Sequence, residues 1–263
     1  MTDKLVFERK IWKQFFLGYE ECVRIVPQSS HDLGAERQKI QYPLTKFIAD
    51  GGLSKYSLFS SFNKGRVLIL NNLKLAIPDA LRDKKGWSST NKRPDMIVFT
   101  NEGEVLVIEC KQKNDKNIDR AVKAFITLKY FADNYAVKIK TGSLTRPLDK
   151  WRYYYDEKYL NKGFDDFNTT LAKLFSFKLY NERAEWAEKV RINIKNNNIH
   201  YGFAINDTKN LYDFDSYKYS IKDFFVGNNL DLIKSVMVEY NSVEPLIFIV
   251  DADENFFKIL NVS

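Results

Sequence analysis

The sequence predicts an α/β protein, a single domain of 263 residues with a central mixed β-sheet flanked by helices. Two observations lead to this prediction. Short runs rich in β-branched and aromatic residues, such as 96–100 and 105–110, have the length and composition of buried strands. They alternate with longer segments whose apolar residues recur at helical spacing. Because no internal repeat and no long linker divides the chain, we expect one domain rather than two.

The region before residue 93 is expected to contain two helices and two short strands. The helices are predicted at 3–26 and at about 33–48, and the strands at 66–70 and 74–77. Pro27 should end the first helix, and the Gly51-Gly52 pair the second. The polar stretch 79–92 is expected to be a loop.

Residues 93–111 predict a β-hairpin. Its strands, 96–100 and 105–110, are apolar throughout, so we expect both to be buried on both faces. Between them, Asn101-Glu102-Gly103 forms a three-residue loop with glycine where a left-handed conformation is needed.

Charged residues lie at the open end of this hairpin. If Thr100 faces Glu104 across the loop, the register places Asp95 directly opposite Glu109. Directly opposed residues have Cβ atoms about 4.5–5.5 Å apart. Since side chains alternate along a strand, Glu109 and Lys111 share one face, and Asp95 joins them there.

Two carboxylates this close repel each other unless a positive charge lies between them. A hard divalent cation with oxygen ligands is the usual solution, and Mg²⁺, or Mn²⁺ in its place, is the natural candidate. The alternative is an ordinary cross-strand ion pair at an exposed hairpin end. The Pro94-Asp95 start, the apolar filling and the Glu109-Cys110-Lys111 end together favour the metal site.

Pro94-Asp95 and Glu109-Cys110-Lys111 resemble the motif of the PD-(D/E)xK nuclease superfamily. Residues 93–111 look most like the nuclease domain at the start of type I restriction enzyme motor subunits. Two further segments, 36–44 and 201–214, are similar to the early helix and to the strand-turn-strand that closes the sheet of that family.

This resemblance implies a restriction-endonuclease-like core at about 30–135 and 199–217. It leaves a helical insertion at about 136–198 and a C-terminal extension at 218–263. The chain has no GxxxxGK(S/T) phosphate loop, so it is not an ATP-driven translocase. The predicted helix after the motif also lacks the Gln that many relatives carry one turn from a Tyr.

By resemblance, Asp95 and Glu109 would bind the metal together with the backbone carbonyl of Cys110. Lys111 would orient or help to deprotonate the attacking water and stabilise the transition state. Glu36 is the candidate for an acidic residue that the early helix brings to the metal. Glu20 and Glu21 are the alternatives to Glu36.

A basic segment follows the motif. Residues 111–150 contain ten Lys or Arg against four Asp, a net charge of +6 that a polyanion would feel locally. A helix predicted from about 114 to 135 places Ile118, Ala121, Val122, Phe125 and Ala132 on one side and Lys116, Arg120 and Lys123 on the other. The nucleic-acid-binding candidates are Arg93, Lys113, Lys116, Arg120 and Lys123. The alternative is a plain solvated helix face.

The rest of the chain offers weaker signals. The aromatic and basic residues at 150–159 could stack on bases, although packing is the more common use of such a cluster. A helix is predicted at 166–194, a hairpin at 200–214, a helix at 230–240 and a strand at 246–250.

Cysteine, histidine and hydropathy exclude several classes of protein. Two cysteines, Cys22 and Cys110, are too few for a zinc site or a disulfide framework. Two histidines, His31 and His200, are too few for a histidine-metal nuclease or a Ser-His hydrolase. No apolar run is long enough to span a membrane and no signal peptide is visible, so we expect a cytoplasmic protein.

The expected function is a Mg²⁺-dependent endonuclease acting on DNA, of a restriction or anti-phage type. An RNA nuclease would use the same residues. The competing hypothesis is a non-catalytic DNA-binding or assembly module that keeps the nuclease fold. Cutting of both strands would favour a homodimer, and a separate motor or specificity subunit could complete the system.

Overall fold

A central sheet with a layer of buried side chains on each face organises the chain. The computed structural model describes residues 24–26, 37–63, 66–71, 75–112, 119–134, 189–206, 228–240, 244–251 and 256–261. Predictions for other positions lie outside these residues. They include residues 3–23 of the helix expected at 3–26, residues 166–188 of the helix expected at 166–194, and the second half of the hairpin, 207–214.

Nine strands are described. They are β1 (Arg24–Val26), β2 (Val67–Asn71), β3 (Leu75–Ala76), β4 (Asn91–Lys92), β5 (Met96–Thr100), β6 (Val105–Gln112), β7 (Ile199–Asn206), β8 (Leu246–Asp251) and β9 (Phe256–Asn261). Seven form one sheet in the order β1-β2-β5-β6-β7-β8-β9, and β3 pairs with β4 in a small antiparallel ribbon.

The large sheet is mixed, as predicted. Strands β2, β5 and β6 form an antiparallel meander, whereas β7 and β8 run parallel to β6. The edge strands differ, because β1 is parallel to β2 and β9 is antiparallel to β8. A parallel neighbour requires a crossover, and the connection from β6 to β7 contains the long helix that follows the motif.

Five helices are described. They are α1 (Tyr42–Ala49), α2 (Asp79–Lys85), α3 (Asp119–Asn134), α4 (residues 189–195) and α5 (Asn228–Glu239). A π-helical turn, Arg37–Gln41, leads into α1, and two 3₁₀ turns, Gly52–Lys55 and Ser57–Phe59, follow it. None of the described helices has the length and apolar character needed to cross a membrane.

The helices cover both faces of the sheet. On one face, α2, α3 and α5 pack over side chains such as Ile97 and Val107. On the other face, α1 and the turns beside it pack over side chains such as Val98 and Ile108. Neighbouring residues of a strand therefore enter different cores, which explains why β5 is apolar at every position from Met96 to Phe99.

The hairpin has the predicted register. Its ladder runs from Phe99 opposite Val105 to Met96 opposite Ile108. At the loop, the Thr100 N–H donates to the Glu104 carbonyl over 3.0 Å, and Gly103 has a φ of 87°. The left-handed glycine and the pairing across the loop are both confirmed.

Most other predicted elements within the described residues are also confirmed. They include the helix expected to stop before Gly51-Gly52, which is α1 and ends at Ala49, the strands at 67–71 and 75–76, and α3, α5 and β8. Two predictions were wrong. Residues 24–26 form a strand rather than the end of a helix. The expected loop at 79–92 begins with α2, which starts after Pro78 and ends at Gly86, whose φ is 65°.

The C-terminal region adds two strands to the sheet rather than a separate layer. β8 is buried along its whole length between β7 and β9. Helix α5 contributes Ile233 and Val236 to the same core as α3. The described residues beyond 218 therefore complete the sheet and contribute to both of its cores.

Candidate functional site

Three charged side chains are buried where the hairpin strands end. Asp95 comes just before β5, and Glu109 and Lys111 are in the last part of β6. Their exposed fractions are 6%, 0% and 4%. By the alternation of β5 and β6, all three belong to the face that carries α3. The predicted cluster is therefore assembled, and it is buried rather than at a solvated hairpin end.

Asp95 is fixed by two buried hydrogen bonds. Its Oδ2 accepts from the Cys110 N–H over 2.8 Å, which links the carboxylate to the opposite strand. Its main-chain carbonyl accepts from Nε2 of Gln41 over 2.7 Å. These bonds hold both the backbone and the side chain of Asp95 in place.

Gln41 is a residue that the sequence analysis missed. It lies in the π-helical turn before α1 and is buried beside Ile40 and Leu44. The sequence did carry a signal for Gln41, which is a polar residue beside the apolar residues of a predicted amphipathic helix. A polar side chain that is buried in such a position needs a hydrogen-bond partner. The sequence carried no sign of which partner, 54 residues away, that would be.

Glu109 is the most deeply buried member of the cluster. Nζ of Lys111 lies 3.1 Å from its Oε1, and Nε of Arg120 lies 2.6 Å from the same atom. The second oxygen, Oε2, is buried and has no hydrogen-bond partner among the described residues. A buried carboxylate oxygen in this situation can accept a further ligand.

Burial raises the pKa of Glu109 to about 8, and the nearby Asp95 carboxylate adds to that rise. The positive charges of Arg120 and Lys111 oppose it. The site therefore binds positive charge, and its affinity for positive charge increases as Glu109 loses its proton.

Arg120 differs from its predicted orientation. The helix wheel placed it on an outward basic ridge, but its guanidinium reaches the carboxylates, with Nη1 3.8 Å from Oδ1 of Asp95. It extends from the first turn of α3 and keeps 35% of its side chain exposed. The inward residues Ala121, Val122, Phe125 and Ala132 are buried as predicted.

The neighbouring Asp119 anchors the start of α3. Its Oδ2 is 2.9 Å from Nζ of both Lys92 and Lys123. Burial acts to raise the pKa of Asp119, but the hydrogen bonds from the two lysines outweigh it and lower the pKa. Nζ of Lys123 also lies 5.2 Å from the ring centroid of Trp87. Lys123 is thus part of this anchor rather than a freely extended surface cation.

The remaining predicted site residues are distributed as follows. Arg93 is exposed at the start of the motif. Cys110 is buried, and its side chain points away from the carboxylates into the core beneath α1. Glu36, Lys113 and Lys116 lie outside the described residues.

Within the described residues, no group of three or more Asp, Glu, His or Cys side chains could hold a metal ion. Asp95 and Glu109 provide two carboxylates, both oxygen donors of the kind that hard cations prefer. Magnesium is commonly held by only one or two carboxylates, with water and substrate phosphates completing its shell. With the unpartnered Oε2 of Glu109, this donor set fits Mg²⁺ or Mn²⁺ bound in that way.

Comparison with known proteins gave no match, since no family model, no curated protein and no solved structure is significantly similar to the chain.

Proposed function

We propose that this protein is a divalent-metal-dependent nuclease that hydrolyses phosphodiester bonds, most specifically a DNA endonuclease of restriction or anti-phage type. One observation carries the proposal: Asp95, Glu109 and Lys111 are buried together where two central strands of a mixed sheet end. Apolar residues of similar volume would stabilise such a position as well or better. A cluster of buried charges is therefore better explained by chemistry than by stability.

The fold supports the same proposal. The strand order β2-β5-β6-β7, with α3 in the crossover from β6 to β7, agrees with the restriction-endonuclease-like core that the motif implies. In this arrangement the motif residues lie at one end of adjacent strands, beside the first turn of α3. Phosphate-binding groups on α3 would then be next to the carboxylates.

Each residue has a role in the proposed reaction. Asp95 and Glu109, with the main-chain carbonyl of Cys110, would hold the cation. When bound, a divalent cation supplies Lewis-acid activation of water and charge neutralisation at the phosphate. Lys111 would orient the attacking water and stabilise the negative charge that develops on the phosphate oxygens. The Cys110 N–H keeps Asp95 turned toward this centre.

A non-catalytic DNA-binding or assembly module is the second candidate. One observation favours it, namely that Arg120 and Lys111 already compensate the charge of Glu109 without a metal. Such a module would bind nucleic acid equally well with and without the ion.

Cleavage of supercoiled plasmid by the full chain, with Mg²⁺, Mn²⁺ or EDTA, tests the proposal. We expect nicked or linear product that requires the ion, and a loss of roughly a hundredfold or more in Lys111→Ala. Lys189→Ala is the matched control, because Lys189 is 53% exposed and pairs with Glu102 at the loop end of the hairpin. It should cut like the wild type.

Two results would contradict the nuclease. One is the absence of cutting on circular, linear, single-stranded and RNA substrates together with nucleic-acid binding that is the same with and without the ion. The other is cutting that Lys111→Ala leaves unchanged, since contamination would then explain it. Cutting of RNA alone would keep the chemistry and change the substrate. Double-strand breaks would favour a homodimer, and activity only beside another protein would favour a separate motor or specificity subunit.

A further inference from the structure

We propose that Arg120 is a counter-ion that the divalent cation displaces, and that the displaced guanidinium then binds a phosphate group of the nucleic acid. This inference rests on the proposed metal site and deepens it. Metal and nucleic acid would bind cooperatively, because the same side chain blocks the first and receives the second.

The first step is the position of the guanidinium. Nε of Arg120 lies 2.6 Å from Oε1 of Glu109, and Nη1 lies 3.8 Å from Oδ1 of Asp95. One positive group thus contacts both carboxylates that would hold the metal. A divalent cation held by Asp95 and Glu109, even through the unpartnered Oε2 of Glu109, would lie close to this guanidinium and would repel it. We therefore expect the metal and the Arg120 guanidinium to compete for the two carboxylates.

The second step is that Arg120 can leave while its neighbours stay. Its side chain is 35% exposed, whereas the side chain of Lys111, the other cation on Glu109, is 5% exposed. The backbone on both sides of Arg120 is held in place. Asp119 pairs with Lys92 and Lys123, and Ala121 is buried in the core. Rotation about the side-chain bonds of Arg120 would move its guanidinium away from the carboxylates without moving α3.

The third step is the destination of the guanidinium. A displaced Arg120 stays tethered within one side-chain length of the carboxylates and turns toward solvent. Its planar fork binds phosphate through two parallel hydrogen bonds, and its charge persists at any physiological pH. By linkage, a phosphate that holds Arg120 away from the carboxylates must strengthen metal binding by the same factor by which metal strengthens phosphate binding.

Calorimetric titration of the full chain with Mg²⁺ alone tests the displacement, at one pH high enough to ionise Glu109. We compare the wild type with Arg120→Gln and Arg120→Lys. The Gln variant should bind Mg²⁺ about tenfold more tightly or better, since the competing cation is gone. The Lys variant, which keeps the charge without the fork, should fall between them. Arg82→Gln, which removes an arginine ion pair on α2, should match the wild type.

The phosphate half is measured by fluorescence anisotropy on a DNA duplex with a phosphorothioate backbone, which resists hydrolysis. Mg²⁺ should tighten DNA binding by the wild type, and this gain should be several-fold smaller in Arg120→Gln. Thermal unfolding confirms that each variant is folded. If the Gln variant is not folded, the Lys variant carries the comparison for both measurements.

Each result separates this inference from the proposed function. Equal or weaker Mg²⁺ affinity in the Arg120 variants overturns the displacement, while ion-dependent plasmid cutting by the wild type would keep the nuclease. An unchanged gain in DNA binding overturns the phosphate half. If neither the wild type nor the variants bind Mg²⁺, both the inference and the metal site fail. Mg²⁺ binding by Arg120→Gln and not by the wild type would support the displacement, because it would mean that Arg120 blocks the metal completely.

Discussion

Glu109 is the most deeply buried charged residue of the candidate site. It has no exposed surface and is contacted at Oε1 by Lys111 and Arg120. Burial alone would keep it protonated, and the two cations partly restore its charge. A residue in this position costs stability at neutral pH, and a protein keeps such a residue when its charge has a use.

The stability of the metal-free protein should therefore depend on the protonation of Glu109. Its pKa rises from 4.5 to about 8 on folding, so between these values the folded state holds one proton more than the unfolded state. The free energy of unfolding should then fall as pH rises through this window, by up to about 1.4 kcal/mol per pH unit. Denaturant unfolding in EDTA at several pH values measures it.

The free energy of unfolding of the Glu109→Gln variant should not fall in this way as pH rises, because the amide of Gln does not ionise. Glu102→Gln is the control, since Glu102 is exposed in the hairpin loop and pairs only at the surface with Lys189. A wild type and a Glu109→Gln variant with the same pH profile would show that Glu109 is ionised in the folded state at all of these pH values. Added Mg²⁺ should reduce the fall, because the ion binds the deprotonated form.

At the scale of elements, helix α4 contacts both the hairpin loop and α3. Asn193 donates from Nδ2 to the Glu102 carbonyl over 2.9 Å, and Lys189 pairs with the Glu102 carboxylate. At the end of α4, Nζ of Lys129 donates to the Ile194 carbonyl over 2.6 Å and to Oδ1 of Asn197 over 2.7 Å. Helix α4 is thus fastened to the hairpin loop and to α3, at the end of the hairpin opposite the carboxylates.

Gly103 should be the least replaceable residue of this contact. A Cβ there would lie 2.6 Å from the Val190 nitrogen and 2.8 Å from the Lys189 carbonyl carbon, and the φ is 87°. Gly103→Ala should therefore lower the free energy of unfolding by about 3 kcal/mol or more, from backbone strain together with the clash. Chemical denaturation measures this loss.

Gly86→Ala is the matched control for Gly103→Ala. Gly86 also has a positive φ, 65°, but a Cβ added there would have no other atom within 4 Å. Only the backbone strain remains, so this substitution should cost about 1 kcal/mol. Equal losses of unfolding free energy in the two variants would mean that α4 moves aside to accept the added Cβ. The contact between α4 and the hairpin loop would then contribute little to stability.

At the scale of the whole molecule, the sheet continues through the C-terminal region. β8 lies between β7 and β9, and its residues Leu246–Asp251 are all buried. Its apolar side chains enter both cores, as shown by Ile247 on the α3 face and Phe248 on the α1 face. Removing β8 would expose apolar surface on both faces and leave β7 with an open edge.

A chain ended after Tyr217, the boundary that the motif-based core suggested, should therefore fail to fold cooperatively. Thermal unfolding followed by circular dichroism should show a broad or absent transition, and the protein should aggregate. A chain ended after Asn261, where β9 ends, is the control and should unfold like the full chain. A sharp transition with an unchanged midpoint in the shorter chain would show that residues 218–263 are an appendage.

The sequence by itself determined the hairpin, its register, the glycine in its loop and the grouping of Asp95, Glu109 and Lys111. These features depend on the strand period and on one short loop, and all lie within about twenty consecutive residues, so local rules are sufficient. It also determined the buried face of α3, because helical periodicity is a local property.

Only the tertiary structure decided which distant groups complete the site. Gln41 reaches Asp95 because the turn before α1 passes the end of β5, and Arg120 reaches Glu109 because α3 begins beside the end of β6. The addition of β8 and β9 to the sheet was decided in the same way. The physical reason is that these contacts depend on how whole helices and strands pack in the two cores. A helix wheel shows only which face of one helix is apolar.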